Sequence, residues 1–131
     1  MFVDSNVFIL AYISKDRKGS QCRSFIKRII SGEQSAVTSP LVFDEVAYAL
    51  IECRGLEFAK KAWKNMADMA HLRIVAIDEK VLLYVPRYLE LGLEPRDAFH
   101  AAAMYANGIT TICTYDRHFD KVQGMKMQEP K

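Results

Sequence analysis

Apolar positions change their period along the chain, and the changes separate short extended runs from longer amphipathic ones. Met1 to Asp4 reads as a short strand, and Ser5 to Ser14, with Val7, Phe8, Leu10 and Ala11, has helical spacing. Gly19 to Gly32 predicts an amphipathic helix, with Phe25, Ile26, Ile29 and Ile30 on one side and Arg23, Lys27 and Arg28 on the other. Ser35 to Ser39 is a second strand. Pro40 then opens a helix to about Cys53, because the N–H that proline lacks would be unpaired at a first helical position anyway. Leu56 to Leu72 predicts a longer helix whose Trp63, Met66 and Met69 belong to the core or to a protein interface, and Arg73 to Ile77 is β-rich. Asp78 or Glu79 caps a helix ending near Leu91-Gly92, and Pro95 opens another that stops at Asn107-Gly108. Thr110 to Tyr115 is a strand, Asp116 starts a short helical turn, and Met125 to Gln128 reads as an edge strand.

Short strands separated by helices pair in parallel through crossover connections. The expected fold class is therefore an α/β sandwich with helices on both faces of a short, mostly parallel sheet. No linker, repeat or low-complexity tract divides the pattern, so residues 1–131 are expected to form a single domain. A chain of this length buries a real core without disulfides or a structural metal. Its three cysteines, Cys22, Cys53 and Cys113, form no CxxC pair and are odd in number, which excludes a disulfide framework and a zinc finger and suits a reducing, cytoplasmic setting. No basic n-region precedes the first apolar run, so no signal peptide is expected. Ala98 to Tyr115 lacks formal charge and could span a bilayer on paper, but Asn107-Gly108 breaks it into a helix and a strand; no membrane association is expected.

Charge adds little until its placement is considered. Eighteen Lys and Arg against sixteen Asp and Glu give a net +2, which excludes a polybasic tail but not a basic patch. Lys15, Arg17, Lys18, Arg23, Lys27 and Arg28 cluster with a single acid, Asp16, and are the best candidates for gripping nucleic-acid phosphates. A solvated helix face explains them nearly as well.

The acids are more informative. Asp4 ends the first strand, and Asp116 follows the strand Thr110 to Tyr115. Glu45 lies in the second turn of the Pro40 helix among Leu41, Val42, Val46 and Ala49, and Asp97 lies in the first turn of the Pro95 helix. In an open parallel sheet, ligands bind outside the carboxyl ends of the strands, which is where these four carboxylates would point. Taken singly, Asp4 and Asp116 could cap the helices after them and Asp97 could complement a helix dipole. Glu45, on an apolar face, carries a desolvation cost that something must offset. Four converging carboxylates repel: two unit charges about 4 Å apart cost about 4 kcal/mol at an effective dielectric of about 20. Protonation or a divalent cation relieves that repulsion, and all-oxygen ligation suits Mg²⁺ or Mn²⁺. The three histidines, His71, His100 and His118, have no metal-pair spacing among themselves; His100, three residues after Asp97 on the same helix face, reads as a core or supporting group. No GxxxxGK[ST], GxGxxG or G-x-S-x-G occurs, which argues against nucleotide cofactors and a serine nucleophile.

Four segments carry a family resemblance. Val3-Asp4-Ser5-Asn6-Val7 resembles the opening "hDxN" strand of PIN-domain nucleases, and Ser39-Pro40-Leu41-Val42-Phe43-Asp44-Glu45-Val46 their second motif, a helix with one glutamate. Arg96-Asp97-Ala98-Phe99-His100-Ala101-Ala102 resembles the third, and Thr114-Tyr115-Asp116-Arg117-His118-Phe119 the fourth, "TxDxxF". Order and spacing match across the chain, and size is most similar to the VapC-type toxins of toxin–antitoxin pairs. The resemblance implies a PIN-like three-layer α/β/α sandwich, Mg²⁺ or Mn²⁺ dependence and endoribonuclease activity. It further implies a small antitoxin partner and a homodimer. On this reading Asp4, Glu45, Asp97 and Asp116 are catalytic, with Asp4, Asp97 and Asp116 on the metal and Glu45 bound directly or through water. Asn6, Thr114 and Ser5 would orient the carboxylates, in competition with helix capping, and Arg17, Lys18, Arg23 and Lys27 would contact RNA. Two other readings stand beside it: a housekeeping RNA-processing nuclease, and a non-catalytic RNA-binding scaffold on the same fold.

Overall fold

A computed structural model describes residues 1–131. Five strands, β1 (Phe2–Val3), β2 (Ala36–Thr38), β3 (Leu72–Ile74), β4 (Thr111–Cys113) and β5 (Lys126–Gln128), form one sheet in the order β3-β2-β1-β4-β5. Every pairing is parallel, the β4–β5 edge included, so the sheet expected to be mostly parallel is wholly so. Phe2 pairs with Val37 on one side and Ile112 on the other, which makes β1 the central strand. Its two residues are fully buried, as a strand covered on both faces requires.

The connections are helical: α1 (Ser5–Ile13) and α2 (Arg17–Ile30) after β1, α3 (Pro40–Arg54) and α4 (Leu56–Ala67) after β2, and α5 (Glu79–Glu90) and α6 (Pro95–Ala106) after β3. A one-turn 3₁₀ helix, Arg117–Lys121, links β4 to β5. The chain steps from β1 outward to β3, then returns across the sheet to β4 beside β1. That reversal makes the space outside the carboxyl ends of β1 and β4 the topological switch point, the position where an open α/β sheet leaves a crevice. α6 is able to pack closely there because Ala98, Ala101, Ala102 and Ala103 are all fully buried and add little bulk.

Two boundaries differ from the sequence pattern for local reasons. α2 begins at Arg17 rather than Gly19, because the Asp16 carboxylate accepts the Gly19 N–H at 2.9 Å and caps the helix two residues earlier. Gly19 is instead a contact position: a Cβ there would sit 2.3 Å from the Ser14 carbonyl oxygen. Gly19→Ala should therefore destabilise the fold, against the usual gain from Gly→Ala in a helix, by about 1–3 kcal/mol; a thermal melt of unchanged or raised midpoint would show that α1 and α2 can separate freely. α4 stops at Ala67 rather than Leu72, after which His71 takes a left-handed φ of +62° and β3 starts at Leu72. Of the large residues on α4, Met66 is buried in the core, whereas Trp63 is 46% exposed and packs edge-on against Phe43 at 5.1 Å.

Candidate active site

Asp4 is the first residue past β1, and four donors hold its carboxylate, the weakest being the Ser5 hydroxyl at 3.4 Å from Oδ1. The Ser5 N–H reaches Oδ1 at 2.7 Å, while Asn6 Nδ2 and the Thr114 hydroxyl reach Oδ2 at 2.8 and 2.7 Å. The Thr114 hydroxyl in turn accepts from Asn6 Nδ2 at 2.8 Å and from the Asp116 N–H at 2.9 Å, and Asn6 Oδ1 accepts the Tyr115 N–H at 3.3 Å. The fully buried Thr114 thus locks the first and fourth sequence segments together across adjacent strands. Asp4 does cap α1, but it is also 4% exposed, and burial pushes its carboxyl above the ordinary carboxylate range despite the opposing pull of His100 and the Thr114 hydrogen bond.

The remaining acids arrange themselves around histidines. Glu45 Oε1 lies 2.6 Å from His100 Nε2, and Glu45 Oε2 accepts the Ser5 hydroxyl at 3.2 Å. His100 is fully buried, its ring 5.5 Å from that of Phe2, and its Nε2 also lies 3.8 Å from Asp4 Oδ1. Burial alone would lower its pKa; the Glu45 hydrogen bond and the negative charges of Asp4, Glu45 and Asp97 outweigh it and leave the imidazole more basic than usual. Its Nδ1 is buried with no hydrogen-bond partner. This answers what offsets the cost of Glu45 on an apolar helix face: an imidazole from α6 and a hydroxyl from α1. The second group is Asp97, Asp116 and His118. His118 Nδ1 lies 3.3 Å from Asp97 Oδ2 and 3.1 Å from Asp116 Oδ1, a nitrogen between two carboxylates. Burial raises the Asp97 pKa, and the neighbouring charges of Asp116 and then Asp4 raise it further.

Two sets of ligand-type atoms therefore sit side by side, Asp4/Glu45/His100 and Asp97/Asp116/His118, each set within 4.8 Å. The residues fit a divalent cation. Both oxygens of the Asp4 carboxylate are held by donors from Ser5, Asn6 and Thr114, so its orientation is fixed by the fold. The carboxylates of both sets are oriented by neighbours rather than free to swing, which is how metal sites hold their ligands. The acid-rich donor set suits a hard cation.

Residues 1–125 match the family model of the PIN domain. The chain belongs to the PIN-domain family. It is 32% identical over 110 residues to Ribonuclease VapC46 of Mycobacterium tuberculosis, an alignment covering 80% of this chain and 82% of that protein. Among solved structures, VapBC2 of Rickettsia felis, bound to a DNA fragment from its promoter, superposes with a TM-score of 0.77 at 14% identity over 99% of this chain and 98% of that one. VapC20 of Mycobacterium tuberculosis, described as a sarcin–ricin loop cleaving toxin, gives 0.73 at 19% identity over 91% and 92%. These structural likenesses establish the α/β/α PIN fold, and membership in the family makes the chain a divalent-metal-dependent nuclease of the VapC type. No helix is long and apolar enough to cross a membrane.

The basic residues of α2 are not equivalent. Arg23 Nη1 donates to the carbonyls of Ser14 at 2.6 Å and Ala11 at 3.2 Å, closing the end of α1. Lys18 stands over the Tyr115 ring at 4.8 Å, one residue from Asp116, and Tyr115 donates to Gln21 at 3.3 Å. Arg17 and Lys27 are exposed on the same helix. Sequence reasoning passed over His118, which lacks metal-pair spacing with the other histidines. The available signal was its place two residues after Asp116, where the Asp116 carboxylate caps the 3₁₀ turn by accepting the His118 N–H at 2.9 Å and so brings the ring back over itself.

Proposed function

We propose that the chain is an endoribonuclease toxin, held in check by a small antitoxin, that hydrolyses single-stranded RNA with Mg²⁺ or Mn²⁺. The observation that carries the proposal is the pair of adjacent carboxylate–imidazole groups at the switch point of a PIN fold. Asp4, Asp97 and Asp116 would hold the cation, with Glu45 beside it. When bound, the cation supplies positive charge against the oxyanion developing on phosphorus and makes a nearby water more acidic. The chain's own groups do the positioning. Asn6, Thr114 and the Ser5 N–H fix the Asp4 carboxylate, so that little reorganisation is left for the moment of reaction. Glu45, oriented by Ser5 and His100, is placed to take a proton from the attacking water.

An antitoxin partner fits the same pocket. His118 already places a nitrogen between Asp97 and Asp116, so an arginine or lysine from a partner segment would find complementary acceptors there. The relatives solved as VapBC assemblies, including that of Salmonella typhimurium, support this reading.

The test combines chemistry and growth. Purified chain should cleave single-stranded RNA in Mg²⁺ or Mn²⁺ and stop in EDTA, and its expression alone should slow a host unless Asp97→Asn is introduced. Cleavage with no growth effect would favour a processing nuclease; binding without metal-dependent cleavage would favour a scaffold.

A further inference from the structure

The four motif acids share their pocket with a nitrogen donor, His118, carried on the 3₁₀ turn after β4. That turn is pinned from two sides: Phe119 is buried in the core, and the Asp116 carboxylate accepts the His118 N–H at 2.9 Å. The ring folds back over the carboxylate that caps its own turn. Its Nδ1 lies 3.1 Å from Asp116 Oδ1 and 3.3 Å from Asp97 Oδ2, the latter brought in by the first turn of α6. Asp116 and His118 thus form an Asp-x-His chelate, closed by a third donor from another element. The other imidazole of the pocket is already committed: His100 is fully buried, with Nε2 2.6 Å from Glu45 Oε1. The His118 side chain is 58% exposed, so its ring is hydrated and takes no part in core packing.

We infer that His118 Nδ1 is a nitrogen ligand of the divalent cation, beside Asp97 and Asp116, and that it tilts the site toward Mn²⁺ over Mg²⁺. The inference rests on the metal-dependent nuclease reading and names the metal preference of the same site. The separations suit a coordination shell. Donors on neighbouring corners of an octahedron with bonds of about 2.1 Å lie about 3 Å apart, and the two distances from Nδ1 are close to that. The same spacing suits an N–H shared between two carboxylates, so the turn needs little rearrangement to exchange one for the other. Ligation requires the tautomer with its proton on Nε2, where water can accept it; a proton on Nδ1 leaves to solvent as the metal binds. A nitrogen donor is not neutral between metals. Mg²⁺ is hard, takes oxygen and gives up its waters reluctantly, whereas imidazole suits the transition metals, whose affinity rises from Mn²⁺ along the row. Carboxylates alone accept either ion. One imidazole among them therefore disfavours Mg²⁺ relative to Mn²⁺.

The experiment uses the full chain, with Mn²⁺ and Mg²⁺ themselves as probes. Electron spin-echo spectroscopy of the Mn²⁺-loaded protein detects nitrogen bound to the metal, and isothermal titration calorimetry gives both affinities in wild type, His118→Gln and His118→Ala. Wild type should show a nitrogen coupling that both variants lose. The Mn²⁺ affinity of the variants should fall about 10-fold or more, the scale of disturbing a group that tunes a metal site, while the Mg²⁺ affinity changes less. Circular dichroism of both variants should match wild type, because the exposed ring is not part of the core. No nitrogen coupling in wild type overturns the assignment, as does a coupling that persists in both variants, which would place the ligand at His100. Equal losses of Mn²⁺ and Mg²⁺ affinity also overturn it, marking His118 as a hydrogen-bond partner that only orients the two acids. Cleavage of single-stranded RNA, followed in the same samples, keeps the two readings apart. Cleavage by a wild type without nitrogen coupling overturns the ligand and leaves the nuclease reading intact. Nitrogen-ligated Mn²⁺ without cleavage supports the ligand and counts against the nuclease reading instead.

Discussion

Asp4→Asn is expected to lower the RNA cleavage rate at least ~100-fold, the scale of removing one preorganised electrostatic partner of a transition state. The substitution is nearly isosteric, so its effect reads charge and hydrogen-bond direction rather than volume. Asp4 Oδ2 accepts from Asn6 and Thr114, and Oδ1 accepts from Ser5. An asparagine amide can satisfy the donors on one side only; its NH₂ turned toward either set meets another donor, and one negative charge is lost from the crevice. Thr114→Val should act through Asp4 rather than on the cation: it removes the hydroxyl that joins Asp4, Asn6 and the Asp116 N–H while keeping the shape. Its cleavage rate should fall about 10-fold, with the loss partly recovered in Thr114→Ser. Circular dichroism and gel-based cleavage in Mn²⁺ measure both. Asp4→Asn within a few-fold of wild type, with the fold intact, would remove Asp4 from the proposed machinery.

Much of the fold was legible because its signals are local. Pro40 and Pro95 open α3 and α6 where the sequence places them, and Asp78 caps α5 by accepting the Val81 N–H at 3.1 Å. The parallel sheet followed from strands separated by helices. The two misplaced boundaries turn on single residues whose local role competes with the apolar pattern: Asp16 caps α2 so that it starts two residues before Gly19, and His71 takes a left-handed turn between α4 and β3. The site divides the same way. Acids at strand ends and helix starts could be read from their neighbours. Their partition into two histidine-centred groups could not, because Glu45 and His100 are separated by 55 positions and meet only when α3 and α6 face each other. Pairing of Asp97 with His118, 21 positions apart, depends on the 3₁₀ turn after β4 packing back against α6.

Without metal, the chain should be more stable at about pH 5 than at about pH 8, the reverse of ordinary acid denaturation. Asp4 and Asp97 both have pKa values raised by burial, so the folded state binds their protons more tightly than the unfolded state does. Their stabilising contribution is full below the unfolded carboxylate value of about 4 and is lost as pH rises through the raised folded values. His100, raised by Glu45 and the neighbouring carboxylates against its own burial, has the same sign: its contribution is full below about 6.5 and is lost as pH climbs through its folded pKa. Asp16 opposes this, since its hydrogen bonds from Ser14 and Gly19 lower its pKa, but that contribution is lost only on approaching pH 4. In EDTA the melting midpoint should therefore fall from pH 5 to pH 8. Mn²⁺, which favours the deprotonated carboxylates, should shrink or invert the difference. At pH 8 in EDTA the two single variants should move in opposite directions. Asp97→Asn removes a charge pressed by Asp116 and Asp4 and should melt higher, whereas Glu45→Gln strips a fully buried imidazole of its carboxylate and should melt lower. A wild-type midpoint that is flat or rises from pH 5 to pH 8 in EDTA would mean that these carboxylates are not in conflict, and with it the physical case for a cation among them would fall.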